Sequence, residues 1–240
     1  MNSLLEINRS NHPIDALIRN HIPKFHGLEQ VEFTNGIVVT EDFLVLDDIT
    51  EGFQLPSVMD IKVGTQTWGP DASEAKQKNE ATKYSGTKGP FGFSICGMIV
   101  HAHDESAPIQ VQQFDKSFGK NLKTQDVQRV PELFFCHDQK PPSELVKIVV
   151  DKIQTIRDIF ELQRKYKIYA SSLLLAYDSE AVRNFKNGKI TQPQLALSVN
   201  IRLIDFAHVW DSNGERDDNF LRGLNNLLDL FSQYLQRTED

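Results

Sequence analysis

The sequence predicts an α+β fold, and three patterns support this class. The dipeptide Asn35-Gly36 lies between two apolar segments, which is the signal of a β-hairpin. Apolar residues recur at steps of three and four over residues 143–166 and 219–236, as in helices that bury one face. Alternating apolar residues over 195–203 predict a strand with one buried face. The chain therefore combines a hairpin, long amphipathic helices and half-buried strands.

Composition narrows the class of protein. A chain of 240 residues can bury one large core or two small ones. Its net charge of −7 argues against broad nucleic-acid binding, and no apolar run approaches a membrane span or a signal-peptide core. Two cysteines, Cys96 and Cys136, are too few for a disulfide framework and indicate a reducing compartment. We therefore expect a monomer of the cytoplasm or nucleus, without nucleic-acid or membrane partners.

Along the chain, further elements alternate with turns. Residues 1–20 predict a helix that breaks at His12-Pro13, because proline disrupts a helix interior. We expect a second strand at 42–49, a helix at 124–135 and a strand at 168–177. Residues 178–194 are predicted to be a polar connection. Ser143 is the expected N-cap of the helix over 143–166.

The segment over 58–63 carries the most informative charges. It is a predicted strand in which Asp60 and Lys62, two residues apart, extend from the same face. An adjacent carboxylate and ammonium suit phosphoryl transfer, which depends mainly on positioning and charge neutralisation. An Asp-x-Lys pair by itself is more often a surface ion pair. Gly64 then frees the backbone for a turn.

A helix rich in lysine is predicted after this strand. Asp71 or Ser73 can cap its N-terminus. Lys76 and Lys83 lie seven residues apart and therefore on one helix face. Such a face can hold a polyanion, although a solvated helix face is the more common explanation for any one lysine.

Three short motifs carry a family resemblance. Pro56, Asp60, Lys62 and Gly64 form the pattern P-x-x-x-D-x-K-x-G, residues 171–174 read SSLL and residues 204–208 read IDFAH. In this order, the motifs resemble those of the inositol polyphosphate kinases. The run G-T-x-x-x-G-x-D-A-S-x-x-K over residues 64–76 looks most like the inositol hexakisphosphate kinase branch.

The resemblance implies a two-lobed, protein-kinase-like fold with a shortened N-lobe. Residues 1–50 would form the reduced N-lobe and hinge, and residues 51–240 the C-lobe with the inositol phosphate and metal sites. Family members carry an N-terminal strand pair with a lysine that meets the ATP phosphates, and nothing upstream of Leu4 matches it. Either the sequence is truncated, or Lys62 and a metal ion bind the phosphates alone.

The resemblance also implies ATP and Mg²⁺ as cofactors. The carbonyl of Asp47 and the N–H of Ile49 would contact adenine. Asp205 continues the inward parity of the strand over 195–203, and a carboxylate is costly to bury unless it meets a cation, which we take to be Mg²⁺. Asp60 would contact the ribose hydroxyls or orient the attacking inositol hydroxyl. Lys62 would neutralise charge on the transferred phosphoryl group.

Candidate substrate contacts follow from the same resemblance. Lys76 and Lys83 match substrate-contacting positions of the family. Lys120 matches a basic residue in a family turn, although a solvated loop lysine is about equally common. His208 would donate a hydrogen bond to the inositol ring or a phosphate, with a structural histidine as the alternative.

The predicted function is ATP-dependent phosphorylation of an inositol polyphosphate, with inositol hexakisphosphate converted to a diphosphoinositol. Ile99 and Glu80 depart from the family pattern, since Ile99 cannot hold substrate and Glu80 would repel a phosphate. They keep a trisphosphate kinase or multikinase as the alternative. The missing strand pair motivates a second alternative, a catalytically weak inositol-phosphate-binding scaffold. A protein-substrate kinase is disfavoured because H-R-D, D-F-G and a glycine-rich nucleotide loop are absent.

Overall fold

The computed structural model describes residues 2–34, 38–102, 109–135 and 140–239. Helical segments flank its sheets. Within these residues the α-helices are α1 (Asn2–Arg9), α2 (Pro13–Arg19), α3 (Glu74–Thr82), α4 (Lys88–Phe91), α5 (Lys116–Asn121), α6 (Val130–Phe135), α7 (Ser143–Leu162), α8 (Ser179–Lys186), α9 (Gln192–Leu197) and α10 (Asp218–Glu239). A 3₁₀ segment, Thr124–Arg129, leads into α6.

The strands form three antiparallel sheets in the described residues. They are β1 (Phe25–Thr34), β2 (Val38–Leu46), β3 (Pro56–Val63), β4 (Phe93–Ala102), β5 (Gln110–Phe114), β6 (Tyr166–Tyr169), β7 (Ser172–Asp178), β8 (Val199–Ile204) and β9 (His208–Asp211). Strands β1 and β2 pair with each other, and so do β6 and β9. The central sheet has the order β5-β4-β3-β7-β8. This mixture of helices and antiparallel sheets confirms the α+β prediction.

The central sheet has one core face and one cleft face, a term we use for the side that carries Asp60 and Lys62. Burial alternates strictly along β3 and β8, with the odd-numbered residues inside. The helices α7 and α10 contribute much of the apolar packing within the core. The core includes large, fully buried residues: Met59, Ile61, Phe93, Ile95, Phe134, Ile153, Phe160, Phe220 and Phe231. The amphipathic patterns over 143–166 and 219–236 therefore predicted core helices correctly.

The N-terminal region packs against this body through an ion pair whose carboxylate is buried. Helices α1 and α2 are separated at residues 10–12, as the His12-Pro13 pair predicts. Asp15 is fully buried, and its Oδ2 accepts a hydrogen bond from Lys165 Nζ at 2.7 Å. This contact holds α2 against the segment that precedes β6. The predicted Asn35-Gly36 turn lies outside the described residues, but β1 and β2 pair on both sides of it.

Several predicted boundaries were wrong for local reasons. The segment 42–49 is not a separate strand, because β2 runs unbroken through residue 46. The polar connection at 178–194 contains α8 and the start of α9, whose N-termini are capped by Asp178 and by a Thr191 capping box. The strand predicted from 195 begins only at 199, so Leu197 is helical and 80% exposed. Ser143 is the first residue of α7, and Pro142 occupies the cap position.

One predicted strand is interrupted. The segment 168–177 splits into β6 and β7, which belong to different sheets. Ala170 has φ +57° at the break, a left-handed conformation that ends the extended backbone. None of the helices that the structure describes combines the length and apolar content of a membrane span.

Candidate functional site

Strand β3 places a carboxylate and an ammonium side by side on the cleft face. Asp60 and Lys62 are half-buried, and their neighbours Met59, Ile61 and Val63 face the core. The period-2 pattern of the sequence predicted this arrangement correctly. Because β3 is the middle strand of five, both side chains are held by paired backbone on each side.

Gly64 ends β3 with a backbone turn that a larger residue would disrupt. Its φ is +104°, and a Cβ at this position would lie 2.6 Å from Nδ2 of Asn219. The Gly64 N–H donates to the carbonyl of Gly92 at 2.7 Å. Asn219 in turn accepts from the N–H of Gln66 at 2.8 Å and donates to its carbonyl. The glycine of the motif therefore allows the loop after β3 to pack against the start of α10.

Asp205 lies at the end of β8, next to this pair. The prediction that it continues the buried row was wrong, because β8 ends at Ile204 and Asp205 turns away with φ +66°. Its side chain is exposed. Its backbone is fixed by Ser171, whose hydroxyl donates to the Asp205 carbonyl at 2.6 Å. The serine of the SSLL motif thus positions the aspartate of the IDF motif.

The environment of Asp60 disfavours its charged form. Burial is the main cause that raises the pKa of Asp60, and repulsion from Asp205 adds to it. The Ser172 hydroxyl and the ammonium groups of Lys62 and Lys116 act in the opposite direction. Asp60 Oδ1 and Ser172 Oγ are both buried without a well-formed hydrogen bond in the described part of the chain. The site therefore contains an unsatisfied acceptor beside a second carboxylate.

These features fit a divalent cation. Two carboxylates that repel each other, one with a buried free oxygen, are stabilised when a cation lies between them. Mg²⁺ commonly uses one or two carboxylates together with substrate phosphates and water. No group of three or more His, Cys, Asp or Glu side chains with metal-site geometry occurs among the described residues. Asp60 and Asp205 would supply two oxygen ligands for such an ion, and a nucleotide and water would supply others.

The segment that follows β2 contains the predicted adenine contacts. The side chain of Asp47 is exposed and lies 2.5 Å from Nε2 of His26, and this hydrogen bond is the main cause that lowers the pKa of Asp47. Asn200 on the cleft face of β8 donates to the Ile49 carbonyl at 2.7 Å. The Asp47 carbonyl and the Ile49 N–H make no hydrogen bond to any described residue. Both backbone groups remain available to a ligand.

The lysine helix forms at the predicted place, but the prediction that Lys76 and Lys83 share a helix face was wrong, because α3 ends at Thr82 and Lys83 has an extended backbone. The charges of this segment are also partly occupied. Ser73 caps α3 by accepting from the Lys76 N–H. The side chain of Lys76 is exposed and has no ion pair within the described residues. Lys83, just after the helix, forms an ion pair with Glu80 at 2.5 Å. The sequence predicts only that Glu80 repels phosphate. In the structure Glu80 also forms an ion pair with Lys83, one of the residues expected to bind phosphate.

A buried lysine that the sequence did not single out supports this helix. Lys88 is 4% exposed, and its Nζ donates to the Glu80 carbonyl and, at 3.5 Å, to Thr67 Oγ1. Burial lowers the pKa of Lys88, and repulsion from Lys83 and Lys62 acts in the same direction. The charge of Lys88 therefore interacts both with Glu80 and Lys83 and with Lys62 on β3.

The remaining predicted substrate residues lie further from the carboxylates. Lys120 is exposed on α5 and makes no ion pair in the described residues. Lys116, at the start of the same helix, is instead the lysine of α5 that lowers the pKa of Asp60. His208 belongs to β9, where it pairs with Tyr169. The structure therefore brings Lys116 close to Asp60, and no described contact joins Lys120 or His208 to it.

Two further polar groups border Asp60 and were missed by the sequence analysis. Cys96 lies at the bulge in β4, and burial followed by repulsion from Asp60 raises the pKa of its thiol. Burial and the interaction with Cys96 raise the pKa of Tyr84 to about 12. Both groups stay protonated near neutral pH. No local pattern marks them, because only the bulge and the backbone of Tyr84, with φ +55°, bring them to the site.

Comparison with known proteins identifies the family of this chain. A family model described as inositol polyphosphate kinase matches residues 43–232, which include the β3, β7 and β8 motifs. The chain belongs to the inositol polyphosphate kinase family and is therefore assigned to a class of kinases. The predicted resemblance is confirmed.

Relatives come from two branches of this family. The chain is 31% identical to inositol polyphosphate multikinase alpha of Arabidopsis thaliana, over 96% of this chain and 81% of that protein. It is 28% identical to inositol hexakisphosphate kinase 3 of Mus musculus, over 78% of this chain and 50% of that protein. Identities this similar do not separate the branches.

Solved structures confirm the fold. An inositol phosphate multikinase structure superposes with a TM-score of 0.74 at 24% identity, covering 98% of both chains. The multikinase Ipk2 from S. cerevisiae, in complex with ADP and Mn²⁺, gives a TM-score of 0.69 at 23% identity, covering 91% of this chain and 90% of that one. The two-lobed inositol polyphosphate kinase fold expected from the sequence is therefore present.

Proposed function

We propose that the chain transfers the γ-phosphoryl group of ATP to a soluble inositol polyphosphate, with inositol hexakisphosphate as the substrate and a diphosphoinositol pentakisphosphate as the product. The observation that carries this proposal is the group formed by Asp60, Lys62 and Asp205. Paired strands hold Asp60 and Lys62 on the cleft face, the Ser171 hydroxyl fixes the backbone of Asp205, and Asp205 is close enough to Asp60 to raise its pKa. The proposed unit boundaries are residues 1–50 and 51–240.

Nucleotide binding uses the hinge and the carboxylates. The Asp47 carbonyl and the Ile49 N–H bind adenine, and Asn200 keeps this segment against β8. Asp205 holds Mg²⁺, with Asp60 as a second oxygen donor or as a partner of the ribose hydroxyls. When bound, the ion neutralises phosphate charge. The ADP and Mn²⁺ complex of the yeast multikinase supports this cofactor assignment.

The protein's own contribution to transfer is charge and orientation. Lys62 donates hydrogen bonds to the oxygens of the transferred phosphoryl group as the bond to ADP breaks. Asp60 orients the attacking group only where the acceptor is a hydroxyl. Inositol hexakisphosphate has no free hydroxyl, so its attacking atom is a phosphate oxygen and no proton has to be removed. A hydroxyl acceptor would instead donate its hydrogen bond to Asp60.

Substrate binding uses the cations around the lysine helix. We assign Lys76 and Lys83 to phosphate contacts, and Lys120 and His208 to outer contacts. The similarity of the 64–76 run to the hexakisphosphate kinase branch supports the choice of substrate. We also propose that the chain acts as a monomer in the cytoplasm or nucleus.

A multikinase that phosphorylates an inositol hydroxyl is the second candidate. The match to Arabidopsis multikinase alpha, over 96% of this chain and 81% of that protein, favours it. The hexakisphosphate kinase 3 match spans only half of the relative. The two candidates share every proposed residue and differ only in the acceptor atom.

Phosphorus NMR of the purified chain with Mg·ATP tests both candidates. One sample receives inositol hexakisphosphate and a parallel sample receives inositol trisphosphate. New diphosphate resonances from the hexakisphosphate would support the main proposal, whereas new monoester resonances only from the trisphosphate would favour the multikinase. Absence of product in both samples would contradict the proposed turnover and leave the scaffold hypothesis.

A further inference from the structure

Glu80 lies between Lys83 and the loop after β3, beside the lysines that we assign to substrate phosphates. We propose that its carboxylate is an internal competitor for phosphate and that it sets the affinity of the site for inositol polyphosphates. This inference rests on the proposed function, because it concerns the same lysine helix. It assigns Glu80 a role in specificity rather than in phosphoryl transfer.

The contacts of Glu80 resemble those that a bound phosphate would make. Its Oε1 lies 2.5 Å from Lys83 Nζ, and its Oε2 accepts a hydrogen bond from Thr67 Oγ1 at 3.3 Å. One oxygen therefore binds the cation that follows the helix, and the other binds the loop after β3. The Glu80 side chain is 23% exposed and Lys83 is 39% exposed, so the pair lies at the surface where a ligand can reach it.

The surrounding charge explains why a polyanion would compete for this position. The ammonium group of Lys88 is repelled by those of Lys83 and Lys62, and Glu80 is the carboxylate that interacts with Lys88 most strongly. Burial acts to raise the pKa of Glu80, but contacts with Lys83, Thr67 and Lys88 together lower it, so the carboxylate is ionised at neutral pH. A group with three cations and one internal anion keeps a net positive charge.

A phosphate can use Lys83 only by sharing it with Glu80 or by displacing the carboxylate. Like charges a few ångströms apart repel each other even when solvent screens them. Each phosphate bound here therefore has a lower affinity than the lysines alone would provide. A ligand with several phosphates overcomes this penalty through its contacts with the other cations.

The test compares two variants that each remove one negative charge from α3. Glu80→Gln keeps the size and the hydrogen-bonding ability of the side chain. Glu74→Gln is the matched control, because Glu74 is exposed in the first turn and has no ion pair within the described residues. Inositol hexakisphosphate and inositol trisphosphate are titrated calorimetrically into each protein, and KM and kcat are measured with Mg·ATP.

We expect Glu80→Gln to tighten inositol hexakisphosphate binding about fivefold, the size expected for one surface charge pair. KM for the inositol phosphate should fall by a similar factor, with a smaller change in kcat. Glu74→Gln should change affinity less than twofold. Addition of Lys83→Met to Glu80→Gln should remove the gain, because the freed ammonium is then absent.

Other outcomes overturn the inference. Unchanged affinity in Glu80→Gln, or equal gains in both variants, would show that Glu80 does not compete locally. Weaker binding with an unchanged melting temperature would show that Glu80 instead positions Lys83 for the substrate. If Glu80→Gln unfolds, Glu80→Asp provides a second test. It keeps the negative charge but is too short to hold Lys83 and Thr67 together, so we expect a smaller gain in affinity than for Glu80→Gln, and no gain would overturn the inference. Failure of the wild type to bind either inositol phosphate would overturn the proposed function as well.

Discussion

The carboxylates and the lysines of the site are held in different ways. Asp60 and Asp205 extend from, or directly follow, strands of the central sheet, and their positions are fixed by strand pairing and by Ser171. Of the lysines assigned to substrate phosphates, Lys76 lies on the surface helix α3, which has no buried residues, and Lys83 directly follows that helix. The groups proposed for phosphoryl transfer are therefore held by paired strands. The groups proposed for substrate recognition are more exposed, and one of them, Lys83, forms an ion pair with Glu80. Mutations in the two regions should therefore differ in kind and size.

The largest effect is expected from Asp205→Asn. Loss of the metal-binding charge should lower kcat by about a thousandfold or more, because several kcal/mol of charge stabilisation disappear. Inositol phosphate affinity should change little. Steady-state kinetics and calorimetry measure the two quantities. Asp229→Asn, an exposed aspartate on α10, is the control, and equal loss of both functions in Asp205→Asn would show a structural role instead.

Lys62→Met should have the next largest effect. The apolar chain retains the packing of the lysine stem but cannot donate to the transferred phosphoryl group. Loss of one such donor commonly lowers kcat by about a hundredfold or more. Rapid-quench measurement of the first turnover would isolate this step. A rise in KM for ATP without a change in kcat would show that Lys62 only binds the nucleotide.

Lys76→Ala combined with Lys83→Ala should change binding rather than chemistry. We expect KM for the inositol phosphate to rise about tenfold and its dependence on salt to weaken, because surface charges are screened. Measurements at low and high ionic strength provide both values. The double variant of Lys78 and Lys189 to alanine removes the same charge, and an equal effect there would exclude a local site.

Asp60→Asn should change the stability of the fold, and this effect should be smaller than the effects above. Because the pKa of folded Asp60 is raised above its usual value of 3.8, the folded state holds its proton more tightly than the unfolded state does. Ionised Asp60 therefore destabilises the fold as pH rises from 3.8 through the raised pKa. The variant should melt a few degrees higher at pH 7, and the difference should vanish below pH 3.8. A variant that melts lower at pH 7 would contradict this reasoning.

The sequence predicted the features that depend on local periodicity. The shared face of Asp60 and Lys62 and the buried faces of α7 and α10 follow directly from residue spacing. The resemblance motifs also identified the β3, β7 and β8 segments that meet in the sheet. These predictions were correct because the relevant contacts repeat with the period of the element.

Features that depend on backbone breaks or on distant residues could not be predicted in the same way. Asp205 leaves the inward row because its backbone adopts φ +66°, which strand parity does not anticipate. Lys116 and Cys96 reach Asp60 only through tertiary packing and a bulge. The Glu80 ion pair was visible as an i, i+3 spacing, but its contact with Thr67 required the structure.

Binding of a divalent metal in the presence of nucleotide tests the central claim most directly. Electron paramagnetic resonance can follow free Mn²⁺ during titration of the protein with ADP present. The account predicts a saturable loss of the free-ion signal in the wild type and in Asp229→Asn, and a marked reduction of this binding in Asp205→Asn. Equal Mn²⁺ binding by all three proteins would contradict the assignment of Asp205 as the metal ligand.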